Sequence, residues 1–172
     1  GSYGKSSCSA LLGHVLDSAG NNPSFLIGAV PLTPSTSAKI GNGDLFVFEG
    51  DEYPSSNTDN RSKFLHLKPK YVLLTPLAHD HVNIFPTVES YLNPFKQLVD
   101  LMPANIALIA ATSGPLSKQF LNSIARPVIT YGVNGGDYHA ANITYGENDK
   151  TVFDIVHHGK TLTRVSTTQL GE

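Results

Sequence analysis

A glycine, a lysine and a serine in succession at the head of a helical pattern can hold a phosphate, and Gly4-Lys5-Ser6 has that arrangement. Glycine lets backbone N–H groups approach phosphate oxygens, and a helix start adds favourable potential for negative charge. A lysine placed there reaches β- and γ-phosphates, and a serine hydroxyl can ligate Mg²⁺. The run Gly1-Ser2-Tyr3-Gly4-Lys5-Ser6-Ser7 therefore reads as a phosphate-binding loop, with Gly1, Gly4, Lys5, Ser6 and Ser7 against the nucleotide. A glycine-rich helix cap is the plain alternative.

Two further groups suit the same chemistry. Glu49-Gly50-Asp51-Glu52 ends an apolar run, and in open α/β sheets ligands bind beyond the carboxyl ends of strands. A carboxylate there can hold Mg²⁺, and Glu49, nearest the strand end, is the best placed. A solvated acidic turn is the competing reading. His79-Asp80-His81 follows another apolar run; imidazole is a metal ligand that a neighbouring carboxylate can orient. The sequence does not separate His79 from His81, and an exposed polar loop accounts for the triplet equally well. His14 falls on the apolar stripe of the first helix and reads as a packed core residue. His157-His158 fits a hairpin turn, His66 a helix end and His139 a strand. Cys8 reads as a buried helix residue without a partner base.

These groups need elements to hold them. Apolar residues Ala10, Leu11, His14, Val15 and Leu16, followed by Gly20, predict a helix over 5–19 of about four turns. Short apolar runs at 25–30, 44–49 and 71–74 fit strands buried on both faces, and 105–110 and 127–131 supply two more. Helical stretches at 88–101 and 116–124 lie between them. Alternation of this kind argues for an α/β fold with a mostly parallel, doubly wound sheet of the phosphate-loop type and flanking helices. Beyond residue 132 the pattern loosens to 138–145, 151–156 and 161–169, which read as antiparallel hairpins appended to the sheet, with Glu147-Asn148-Asp149 and His158-Gly159-Lys160 at their turns. Residues 31–38 and 54–62 read as long functional loops.

Composition narrows the partners. With 172 residues, 15% of them charged and a net charge of −2, the chain fits one ordinary globular domain and has no basic field for nucleic acid or anionic lipid. A single cysteine excludes an internal disulfide, and no apolar run approaches a membrane span. The expected setting is the cytoplasm. The phosphate loop starts at residue 1 with no strand before it, so the chain reads as a domain taken from a longer protein.

Taken in order, Gly-Ser-Tyr-Gly-Lys-Ser-Ser, then Phe48-Glu49-Gly50-Asp51-Glu52-Tyr53, then Asp80-His81 resemble the three central motifs of the Mur ligases, Gly-Thr-x-Gly-Lys-Thr-Thr, Glu-Ala-Asp-Glu and Asp-His. The closing Leu170-Gly171-Glu172 resembles the segment that leads into the third domain of those enzymes. The resemblance covers essentially the whole chain and implies the central, ATP-binding domain (residues 1–172) of a three-domain ligase of peptidoglycan synthesis or recycling. It implies that Lys5 and its neighbouring amides hold the ATP phosphates and that Ser6, Glu49 and His81 hold Mg²⁺, with Lys5, Glu49 and His81 as the catalytic set. ATP activates a carboxylate of UDP-N-acetylmuramate as an acyl phosphate, and an amine displaces phosphate. One branch of the family uses L-alanine as the amine; another uses the tripeptide L-alanyl-γ-D-glutamyl-meso-diaminopimelate. Asp59-Asn60-Arg61-Ser62-Lys63-Phe64 and the Gly28-Ala29-Val30-Pro31 segment are similar to the tripeptide branch.

Pro76, Ala78 and Asn83 depart from residues common in the family near Asp80-His81. They motivate a second expectation, a nucleotide-binding module without turnover. A phosphate-loop kinase is a third, against which the Glu49 and His81 pair counts.

Overall fold

The computed structural model describes residues 1–33, 35–146 and 150–168. Two compact units are present, Gly1–Leu67 and Lys68–Glu172.

The first unit opens with helix α1 (Lys5–Ser18). Strands β1 (Ser24–Leu26), β2 (Ala38–Lys39) and β3 (Phe46–Phe48) form a small sheet in the order β2-β1-β3, with β1 and β3 parallel. Its core is Phe25, Ile27 and Val47, with Ala10 and Leu16 of α1 packed against them. Gly13 is the buried residue of α1; a Cβ there would sit 3.5 Å from the Phe25 ring.

That packing corrects the sequence reading of α1. Leu11 is 63% exposed, and His14 and Val15 are also exposed. Hydrophobicity alone points to a stripe through 11, 14 and 15. Contact with Phe25 instead selects the face of Ala10, Gly13 and Leu16, with Gly13 against the Phe25 ring. His14 is thus a surface residue, and Cys8 is half-buried rather than buried. What burial Cys8 has pushes its thiol pKa up, away from nucleophilic character.

The second unit contains β4 (Leu73–Leu74), α2 (Val88–Asp100), β5 (Leu108–Ala111), α3 (Ser117–Leu121) and β6 (Val128–Gly132), a β-α-β-α-β run with all three strands parallel. Strands β7 (Tyr138–Tyr145), β8 (Thr151–His157) and β9 (Lys160–Thr167) complete a six-stranded sheet in sequence order, with β7, β8 and β9 antiparallel. The α/β class and mostly parallel sheet predicted from the alternation are present. The appended strands are also present, but β7 joins β6 in parallel through residues 133–137 alone. A parallel connection this short is unusual. Gly135 and Gly136 take positive φ (145° and 109°), and Asp137 returns to Thr130, its Oδ2 accepting from the Thr130 amide at 2.7 Å and hydroxyl at 2.8 Å. At the β8–β9 turn, His158 and Gly159 have φ of 47° and 75°, as a two-residue hairpin turn requires. Residues 147–149 and 169–172, which include the other predicted turn and Leu170-Gly171-Glu172, lie outside the described residues.

Helix α2 is set by a reciprocal cap: Thr87 Oγ1 accepts from the Ser90 amide and Ser90 Oγ from the Thr87 amide. It buries Tyr91, Leu92, Phe95, Leu98 and Val99, an i, i+1, i+4, i+7, i+8 face. Pro94 inside the helix is tolerated. Among the described residues, no helix is long and apolar enough to cross a membrane.

Candidate functional site

Gly4 has φ +74°, left-handed, and precedes α1 directly; a Cβ there would meet nothing within 4 Å. The α1 N-terminus carries no side-chain cap. The amides of its first turn, at Lys5, Ser6 and Ser7, have no intrahelical acceptor and suit an anion. The cradle fits a phosphate.

Two carboxylates face this loop from the segment after β3. The Lys5 ammonium donates to both oxygens of Glu52, at 3.1 and 3.0 Å. The Ser6 hydroxyl donates to Glu49 Oε1 at 2.9 Å, and Glu49 Oε2 accepts the Gly28 amide at 2.6 Å. Glu49 follows the last residue of β3, and its own amide binds Leu26 O on β1, so the sheet fixes where its side chain starts. Three of the sequence-predicted residues, Lys5, Ser6 and Glu49, thus meet in one place beside Gly4. Ser6 and Glu49 present two oxygens 2.9 Å apart, a donor pair that suits a hard cation such as Mg²⁺ with phosphate oxygens and water completing its shell. Among the described residues, no group of three or more His, Cys, Asp or Glu is gathered as a ready-made metal cage.

Two residues of this site carry no assigned role from sequence. Glu52 is 0% exposed, although it lies in what reads as an acidic turn. The spacing Glu49-Gly50-Asp51-Glu52 gives no sign of which carboxylate turns inward. Asp51 points to Lys63, at 2.7 Å; burial pushes the Asp51 carboxyl up, but the Lys63 bond and the Tyr53 amide more than reverse this and leave it below its ordinary value. Gly28 is the other: a Cβ would come within 2.8 Å of Glu49 Oε1.

Asp80 and His81 belong to the second unit. His81 holds φ +54°, a left-handed conformation that costs a non-glycine residue about 1 kcal/mol. Its amide donates to Asp80 Oδ1 at 2.7 Å, and its Nε2 lies 3.6 Å from Asp80 Oδ2. The two residues left unresolved by sequence differ here. His79 donates from Nε2 to Phe85 O at 2.7 Å and rests on Tyr91, with ring centroids 5.8 Å apart. It is a packing residue. The His81 ring lies beside the Asp80 carboxylate, at a distance longer than a hydrogen bond.

A family model described as the Mur ligase middle domain matches residues 1–172. This chain belongs to the Mur ligase family. That family consists of ATP-dependent ligases, of which this is the middle domain. A Haemophilus influenzae UDP-N-acetylmuramate–L-alanyl-γ-D-glutamyl-meso-2,6-diaminoheptandioate ligase is 27% identical over 172 residues, 100% of this chain and 37% of its own length. A UDP-N-acetylmuramate–L-alanine ligase of Caldanaerobacter subterraneus is also 27% identical, over 93% of this chain and 34% of its own. The solved structure of the L-alanyl-γ-D-glutamyl-meso-diaminopimelate ligase from Neisseria meningitidis superposes with a TM-score of 0.85 at 30% identity, covering 99% of this chain and 54% of that one. The Mur ligase chain described here therefore spans little more than a third of these curated relatives.

Proposed function

We propose that this chain is the ATP-handling domain of a cytoplasmic amide-forming ligase that joins UDP-N-acetylmuramate to the tripeptide L-alanyl-γ-D-glutamyl-meso-diaminopimelate. The observation that carries the reading is the meeting of Gly4, Lys5, Ser6, Glu49 and Glu52 at the N-terminus of α1. Bound Mg-ATP supplies the phosphoryl group that activates the muramate carboxylate for attack by the amine. The chain's part is to place and neutralise charge, which is the main protein contribution to phosphoryl transfer. The α1 amides and Lys5 bind phosphate oxygens; Ser6 and Glu49 hold the cation.

The tripeptide is favoured over L-alanine by Asp59-Asn60-Arg61-Ser62-Lys63-Phe64 and by Gly28-Ala29-Val30-Pro31, which are similar to the tripeptide branch. Asp59, within the motif similar to the tripeptide branch, holds Arg61 by bonds of 2.9 Å from Nε and 2.6 Å from Nη2. L-alanine is the second reading, supported by the relative of that name at equal identity. Release of ADP by the intact enzyme, given UDP-N-acetylmuramate with tripeptide or with L-alanine, decides between them. Faster turnover with tripeptide is expected; faster turnover with L-alanine replaces the first reading by the second. ATP bound without ADP release under either condition would leave a nucleotide-binding module.

A further inference from the structure

We infer that Glu52 is a positioning residue for Lys5: it fixes the lysine ammonium at the phosphate site, so nucleotide affinity depends on a carboxylate that touches no nucleotide. This rests on the reading of Gly4-Lys5-Ser6 as the phosphate loop.

The argument starts from burial. Glu52 is fully buried, and its side chain is 1% exposed against 23% for Lys5. A desolvated carboxylate persists only when paired and hydrogen-bonded. Lys5 supplies that pairing through bonds of 3.0 and 3.1 Å to the two oxygens. An ammonium has three N–H donors, so the nitrogen that Glu52 holds keeps a donor for a phosphate oxygen. A free lysine side chain is among the most flexible of all and surrenders much rotamer freedom on binding an anion. Held by Glu52, Lys5 gives up that freedom during folding instead, which is preorganisation.

Glu52 can do this because its own backbone is held. The buried Ser62 hydroxyl donates to Glu52 O at 2.6 Å, the Lys63 amide to Tyr53 O at 2.9 Å, and the Phe64 amide to Asp51 O at 3.2 Å. The 3₁₀ turn Lys63–His66 thus clamps residues 51–53 on both sides of Glu52. Asp51, one residue earlier, is turned outward to Lys63, so the two adjacent carboxylates take separate cations and do not compete for Lys5.

The test is Glu52→Gln in the intact enzyme, an isosteric change that removes the charge but keeps an acceptor. Three measurements are needed. The melting temperature is expected to move by only a few degrees. The Lys5 ammonium, labelled with ¹⁵N and assigned by its loss in Lys5→Met, is expected to give a proton-coupled signal in the native protein and to lose it through rapid exchange in Glu52→Gln. ATP affinity at fixed Mg²⁺ is expected to fall about tenfold, the worth of one charge-assisted hydrogen bond, with the KM for the sugar nucleotide unchanged. A Lys5 signal retained in Glu52→Gln, or native ATP affinity in that variant, overturns the inference. The double variant Lys5→Met/Glu52→Gln distinguishes the two levels: ATP binding as tight as native there would remove the phosphate-loop reading itself.

Discussion

Glu49 bridges Ser6 and Gly28, taking the hydroxyl of one on Oε1 and the amide of the other on Oε2. A carboxylate with both oxygens occupied has a fixed plane, and under the proposed function Glu49 would offer its oxygens to the cation in that orientation. Gly28 permits the approach because it lacks a Cβ, which would stand 3.0 Å from Glu49 Cδ.

Gly28→Ala is therefore expected to leave the fold intact and to shift the carboxylate, since the clashing atoms are the end of a flexible side chain. The Mg²⁺ concentration for half-maximal activity should rise roughly tenfold, as when the partners that orient a metal ligand are disturbed. A magnesium titration of the intact variant checks this, and an unchanged titration would detach Glu49 from the cation.

Lys5→Ala is expected to damage stability as well as activity. The substitution removes the Lys5 partner of the buried Glu52 carboxylate, a loss of roughly 3 kcal/mol by analogy with other broken buried pairs. Adding Glu52→Gln to it should restore much of that loss, because an amide is less costly to bury than a charge. Urea midpoints of the single and double variants measure both. Equal midpoints for native and Lys5→Ala would mean that the Lys5 ammonium is not what stabilises the buried Glu52 carboxylate.

The parts of this site that follow from local chain chemistry are legible in the sequence. Gly4-Lys5-Ser6 before a helical pattern, and Glu49 at the end of an apolar run, fall where expected because each depends on its immediate neighbours. What depends on tertiary direction is not legible. Nothing in Glu49-Gly50-Asp51-Glu52 tells that Glu52 turns inward while Asp51 turns to Lys63. Nothing in His79-Asp80-His81 tells that the first ring packs on Tyr91. The face of α1 was masked for a related reason: its contact surface runs through Gly13, which hydropathy does not mark as core. The two-residue β2 is too short to leave any periodic signal.

Gly13→Ala gives a direct check on that helix face. A Cβ would lie 3.5 Å from Phe25 Cδ1, ordinary van der Waals contact. Alanine in a helix interior is favoured over glycine by about 0.8 kcal/mol. A rise in unfolding free energy of about that size is expected by chemical denaturation. A marked loss of stability would show that α1 and Phe25 sit closer than described.

Acid should weaken the second unit through Asp137. The amide and hydroxyl of Thr130 hold its carboxyl below the ordinary value of 3.8 in the folded chain. The folded pKa lies below the unfolded one, so the contribution is complete above about pH 4 and is lost as pH falls through the folded value. Asp137→Asn keeps the side-chain shape but cannot ionise. Its stability is expected to be lower than native near neutral pH and to converge with native in acid. Unfolding midpoints collected from neutral to about pH 2 test this. Parallel curves for the two proteins would mean that the β6–β7 connection does not depend on the Asp137 charge.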